Sequence, residues 1–266
     1  MPARRWAATA AAVGLIAVAT PAPAQYDYRN LDDERPVLTE DAYTIERYAL
    51  ELMLPLRTVA EGGVTTVAFL PELMYGAGRN LQLGVKAPMG LRRDEGAADW
   101  ALGGVELFGF YNFGTERPGL PALTLRGDLA LPVGALAGER AAVTVKAMAT
   151  RSWGLTRLHA NAAVTAGGDS LAVLLEPPKR WWVSAAVDRT LYRQSLLLLG
   201  EVAVLGPAFE PGTEVTAAAG LRWQWTPSLV LDAGVARRLT TAGPDVALTA
   251  SLDWTFSAGG GPRRSR

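Results

Sequence analysis

From Val246 to Ser257 the chain alternates residue by residue. Val246, Leu248, Ala250, Leu252, Trp254 and Phe256 are apolar, while Ala247, Thr249, Ser251, Asp253, Thr255 and Ser257 are small or polar. A period of two marks a β-strand with one apolar and one wet face, because successive side chains point to opposite sides of the pleat. The apolar face ends in two aromatics, the pattern of a strand that closes an outer-membrane barrel.

The same dyad recurs upstream in segments of about ten residues, the length that crosses a bilayer at a tilt. In 215–225, Val215, Ala217, Ala219, Leu221, Trp223 and Trp225 share a face, and in 229–238 Leu229, Leu231, Ala233 and Val235 do so. Residues 195–205 oppose Leu196, Leu198, Val202 and Val204 to Glu201, although Leu197 and Leu199 blur the polar side. Further strands are read around Trp181–Asp188, Arg157–Val164, Val143–Thr150 and Leu123–Leu131. The pattern weakens at Val105–Asn112, where Phe108 and Phe110 share the polar side. The first three strands are placed around 44–56, 64–75 and 79–86. The total is about 12 antiparallel strands, an even number as bacterial barrels prefer.

After residue 24 no uninterrupted apolar run reaches 18 residues, so a membrane span in this region must be built of strands. Only helices and closed barrels pair every backbone polar group within the bilayer core.

The start of the chain points to export. Arg4 and Arg5 precede an apolar run from Trp6 to Ala19, and Ala22-Pro23-Ala24 supplies a small-x-small cleavage site. Residues 1–24 read as a cleaved signal peptide, 25–42 as an acidic, solvated periplasmic segment, 43–257 as the barrel and 258–266 as a basic flexible tail. The chain has no Cys, which excludes disulfides, thiolate metal sites and a lipoprotein anchor. Its 26 basic and 26 acidic residues argue against nucleic acid as a partner.

The connections are expected to alternate in length. Outer loops fall at 57–63, 87–98, 133–139, 166–180, 206–212 and 239–245, and inner turns at 76–78, 151–153 and 226–228, with 114–121 as a longer exception. Both termini are then periplasmic. Trp153, Trp223, Trp225, Trp254 and Phe256 gather at the periplasmic rim as an aromatic girdle.

Tyr111-Asn112-Phe113-Gly114, Leu123 to Gly134, Leu158-His159-Ala160-Asn161 and Gly220 to Arg238 resemble the outer-membrane barrel family of the MetA pathway of phenol degradation. The likeness extends from about Tyr43 to Phe256. It implies an outer-membrane channel or transporter for small aromatic or other hydrophobic molecules. The tail after Phe256 departs from the family, whose barrels commonly end at the terminal aromatic.

Function in a barrel belongs to the inward face, since the lipid face is generic. The lumen-lining candidates are Glu106, Arg126, Asp128, Lys146, Arg157, His159, Asn161, Asp188, Glu201, Arg222, Asp232, Arg238 and Asp253. Opposite charges on neighbouring strands can rigidify the wall, or a few can line a constriction. His159, the only histidine, reads as a hydrogen-bonded wall residue rather than a general base. No nucleophile elbow, phosphate loop or metal-ligand spacing occurs, so no catalytic residue, metal or cofactor is expected. Gly103-Gly104 reads as a strand bend. The expectation is an outer-membrane channel of a Gram-negative cell, in contact with lipids and with the barrel insertion machinery. Its rivals are a structural or binding barrel and a barrel-based lipid hydrolase.

Overall fold

The computed structural model describes residues 29–94, 97–168, 179–207 and 212–257. Residues 1–24, expected to be a signal peptide, the expected tail 258–266 and most of the 166–180 loop lie outside the described residues.

The first four passes through the wall are each broken in two. Ala49–Met53 and Leu56–Glu61 (β1, β2) are interrupted at Leu54 and Pro55, and Val64–Phe69 and Glu72–Gly76 (β3, β4) at Leu70 and Pro71. Leu81–Lys86 and Met89–Asp94 (β5, β6) part at Ala87 and Pro88, and Ala97–Leu102 and Val105–Gly114 (β7, β8) at Gly103 and Gly104. Proline has no N–H to give a ladder, so it breaks a strand even where the path continues. The path does continue here. Leu70 N donates to Pro55 O at 3.0 Å, Ala87 N to Pro71 O at 2.9 Å and Gly103 N to Pro88 O at 2.7 Å.

The remaining eight passes are unbroken. They are Ala122–Leu131 (β9), Ala142–Trp153 (β10), Thr156–Gly167 (β11), Lys179–Leu191 (β12), Leu196–Pro207 (β13), Glu214–Thr226 (β14), Leu229–Arg238 (β15) and Val246–Ser257 (β16). A single helical turn, Tyr192–Ser195 (α1), links β12 to β13.

The ring β1-β4-β5-β8-β9 through β16 closes on itself, because β1 pairs antiparallel with β16 from Ala49↔Ser257 to Met53↔Asp253. The result is a closed antiparallel barrel of 12 strands, as the alternation predicts. Beyond the breaks, β2, β3, β6 and β7 continue the wall from β16 by way of β2. β7 pairs with β6, and no strand flanks its other side among the described residues.

The outward face carries Leu125, Val145, Leu158, Val183, Val202, Leu221 and Leu248, all exposed. Such a band of apolar surface exceeds what a water-soluble monomer presents and matches the lipid face of a membrane barrel. Trp153, Trp223, Trp225, Trp254 and Phe256 stand on the outward side at the end of the barrel that carries the turns 154–155 and 227–228. Trp223 stacks on Trp225, and Trp254 leans on Phe256 at a centroid distance of 5.3 Å.

Two expectations need correction. Residues 57–63 and 87–98 are mostly strand rather than loop: β2 and β3 meet in a two-residue turn at Gly62 and Gly63, whose φ values of 56° and 84° suit a tight hairpin. The barrel also begins at Ala49 rather than at residue 43, because the residues before it turn inward.

Candidate functional site

The acidic N-terminal segment is not a solvated extension. Asn30, Leu31, Asp32, Arg35, Val37, Thr39, Glu40, Asp41, Ala42 and Ile45 are buried inside the barrel. Backbone placed there must find partners, since a buried N–H or C=O left alone is costly. The wall supplies them from side chains. Glu201 accepts from the N–H groups of Leu38 and Thr39, and Asn161 both accepts from Glu40 N at 2.7 Å and donates to Glu40 O at 2.8 Å. Thr150 accepts from Ala42 N at 3.0 Å, Thr124 donates to Ala42 O at 2.7 Å, and Gln82 accepts from Ile45 N at 2.9 Å.

The segment enters and returns. Asp41 N donates to Leu31 O at 3.1 Å, which draws its two limbs together. The tip carries Pro36, which fits against Gly220 and Gly234, themselves paired across β14 and β15. A Cβ on Gly234 would stand 1.9 Å from Pro36 O, so no side chain is possible there while the tip is seated. Apolar residues of the segment meet apolar patches on the wall. Leu31 and Val37 pack with Leu197, Leu199 and Val230; Ala42 and Tyr43 with Phe110 and Met148; Ile45 with Phe108, Met53 and Met74.

Charge completes the match. Arg126 binds Glu40 at 2.9 Å and Asp128 at 2.6 Å, while Lys146 binds Glu40 at 3.0 Å and also Asp33. Arg157 joins Asp41 at 3.0 Å to Asp188 at 2.7 Å, and Arg222 joins Asp32 to Asp253, each at 2.7 Å. Burial would raise the Asp33 carboxyl, but the neighbouring charges of Lys146 and Arg126 outweigh it and hold the group well below the usual carboxylate range. Among the described residues, ten buried carboxylates face six buried Lys and Arg, so the interior leans negative.

Of the candidates read from the sequence, Arg126, Asp128, Lys146, Arg157, His159, Asn161, Asp188, Glu201, Arg222, Asp232 and Asp253 are buried in the lumen, and Glu106 faces it, 3.5 Å from Arg126. Arg238 instead lies at the rim, bonded to Thr241 O, Gly243 O and Asp245. His159 is held by Thr150 at 2.9 Å and Asp188 at 2.9 Å. The Thr150 oxygen already meets the segment's backbone, so the trio serves as a clamp on Ala42. The residues that sequence reading missed are those of the segment itself.

At the turn end of the barrel, Tyr43 donates to Glu116 at 2.6 Å, and Glu116 also accepts from Ser152 N and Oγ. Burial raises the Glu116 carboxyl somewhat, yet the Ser152 and Tyr43 hydrogen bonds and Arg151 leave it below its ordinary value. Burial and the Glu116 contact push the Tyr43 phenol up. The pair forms a latch at the mouth.

A second feature lies where the wall is incomplete. The β8–β9 ladder ends at Val105↔Leu131, and β7, paired with β6, has no strand on its other side among the described residues. The loop 132–141 folds across, with Leu136 N donating to Leu102 O at 2.9 Å and Leu136 packing on Ala68 and Leu70. A cavity of about 180 Å³ opens here between Pro88, Gly103, Gly104, Leu131, Pro132 and Ala137, and reaches inward to Asp33, Glu34 and Lys86.

No protein-family model and no curated protein matches the chain. Among solved structures it is similar to the COG4313 outer membrane channel from Pseudomonas putida F1, with a TM-score of 0.60 at 13% identity over 85% of this chain and 100% of the other. It is also similar to the KdgM porin, with a TM-score of 0.55 at 7% identity over 77% of this chain and 99% of that one. At such identities the likeness speaks to the fold.

Proposed function

We propose that the chain is an outer-membrane channel for small apolar or aromatic molecules, closed at rest by its own residues 30–47. The observation that carries this reading is how the lumen is filled. A barrel that served only as a wall would fill its interior with wall side chains. Here a separate segment fills it, and the wall grips that segment through hydrogen bonds and ion pairs that a small shift can break.

The apolar cargo is favoured by the cavity between Gly103-Gly104, the end of β9 and the 132–141 loop, which runs from the lumen to the break that separates β7 from β8. A molecule dissolved in the lipid could reach the lumen there without crossing the polar outer mouth. The resemblance of Tyr111 to Gly114 and Gly220 to Arg238 to the phenol-degradation barrels supports the same class of solute. No covalent chemistry is required of His159, whose two nitrogens are spent on Thr150 and Asp188. In this reading the turn end and both termini are periplasmic, the aromatic girdle sits in the inner interface, and lipids and the insertion machinery are the macromolecular partners.

The test is a bilayer recording with the parent and with a variant lacking residues 29–47. The parent should be nearly silent and the shortened barrel should conduct. Uptake of a radiolabelled monoaromatic into vesicles should follow the same order. A correctly folded shortened barrel that passes neither ions nor the aromatic would overturn the channel reading.

A further inference from the structure

Just inside the seam where β1 meets β16, carboxylates from three distant parts of the chain converge. Glu51 comes from the first strand, Asp253 from the last and Asp32 from the re-entrant segment. All three are buried, and an oxygen of each lies within 4.8 Å of the others. Arg222 reaches Asp32 and Asp253, but one guanidinium offsets one charge, and Arg35 nearby is engaged by Glu72 at 2.8 Å. Asp232 on β15 adds another buried carboxylate to the same inward face. Buried like charges at this density call for a counter-charge.

A separate observation says what kind. Thr255 stands directly opposite Glu51 in the β1–β16 register and two residues beyond Asp253 on the same face. It is 4% exposed, and its hydroxyl has no hydrogen-bond partner among the described residues. Buried hydroxyls nearly always find one. Its side chain shares the inward face of Glu51 and Asp253 and lines the same cavity as Glu51, the place of a neutral member of an oxygen-ligand shell.

We propose that Asp32, Glu51, Asp253 and the Thr255 hydroxyl bind one divalent cation of calcium's type, which clasps the re-entrant segment to both edges of the closing seam. The ligands are all hard oxygens, with no His or Cys among them, which selects against zinc and copper. Oxygens bound on opposite sides of calcium at 2.3–2.6 Å stand up to about 5 Å apart, which suits the spacing seen. Magnesium requires a tighter octahedron and keeps its water, and an irregular shell of protein oxygens suits it less. Glu51 and Thr255 also line a cavity of about 360 Å³ at the turn end, which gives an ion and its remaining waters a way in. Nothing in this proposal depends on what the barrel carries.

The test is calorimetric titration of CaCl₂ into the full folded chain in detergent, stripped first with EDTA and then freed of chelator. The parent should take up one calcium per chain, and calcium should raise the temperature at which the folded band is lost on a heat-modifiable gel. Glu51→Gln should weaken binding at least tenfold, Thr255→Val should weaken it less, and Asp245→Asn at the far rim should leave it unchanged. Asp253→Asn also removes a partner of Arg222 and can fail to fold, so the near-isosteric Glu51→Gln and Thr255→Val carry the result. A stripped parent that binds no calcium, or a folded Glu51→Gln that binds as the parent does, overturns the proposal.

Discussion

The wall has two unlike arcs. From β9 to β16 the strands run unbroken for 10 to 13 residues, their outward faces are apolar, and their inward faces hold Arg126, Lys146, Arg157, Glu201 and Arg222, which grip the re-entrant segment. From β1 to β8 every pass is broken by proline or by Gly103-Gly104; here β7 has one side without a strand among the described residues, and the cavity opens where this arc meets β9. A complete backbone ladder seals, and an interrupted one leaves a place to open. In the proposed channel the regular arc holds the re-entrant segment in place, while the broken arc, where it meets β9, offers the way through.

The sharpest way to break this division is to attack the grip. Arg126→Ala would take from Asp128 its guanidinium partner and leave Glu40 to Lys146 alone, and losing one partner of such a buried network costs about 3–5 kcal/mol. Urea unfolding of the folded barrel should register that loss, whereas Arg151→Ala at the exposed turn should cost under about 1 kcal/mol. If the two variants unfold alike, the buried network is not what holds the segment.

Next in size is displacement of the tip. Gly234→Val puts side chain where Pro36 O now stands, so the tip must leave and bilayer conductance should rise by roughly tenfold or more, the equivalent of about 1.4 kcal/mol or more. Gly127→Val in the same arc meets nothing within 4 Å and should leave conductance as it was. Equal behaviour of the two would detach the tip contact from gating.

Where the two arcs meet, Ala137→Trp in the loop after β9 would fill the cavity beside Gly104 and Leu131. Vesicle uptake of a monoaromatic should fall severalfold, while ion conductance of the barrel lacking residues 29–47 should stay nearly constant. A matched fall in both would place the apolar route through the main lumen.

The smallest effect belongs to the latch. Because the Glu116 carboxyl is lowered in the folded state, its contribution is present above its unfolded value and is lost as pH falls through the lowered one. Acidification below about pH 4 should thus raise the frequency of openings by at most roughly fivefold, in keeping with a pair worth ~1 kcal/mol. Glu116→Gln should abolish that acid response while leaving openings at neutral pH more frequent than in the parent. A parent whose openings do not change with acid would remove the latch from the gating scheme.

The regular arc was legible because each of its strands keeps a pure dyad over ten or more residues. Much of the broken arc was not, because Pro55, Pro71 and Pro88 interrupt the period, and stretches such as 89–94 then read as loops. The re-entrant segment escaped because a short acidic stretch without periodicity looks the same whether water or a barrel surrounds it. Its trace was nevertheless present in the wall. Leu197, Leu199, Phe108 and Phe110 looked like flaws in otherwise polar inward faces, and they are where Leu31, Val37, Ala42 and Ile45 dock. Arg126, Lys146 and Arg157 on three consecutive strands, β9 to β11, likewise awaited Asp33, Glu40 and Asp41.

Because the contact between Asp41 and Leu31 brings both limbs of the segment to one mouth, the plug is a bight of rope rather than a cork on a string. A bight can be drawn out and pushed back without any free end passing through the ring. In the proposed channel, resetting then costs no threading, and tension on the chain ahead of residue 29 would act as a mechanical handle that opens it.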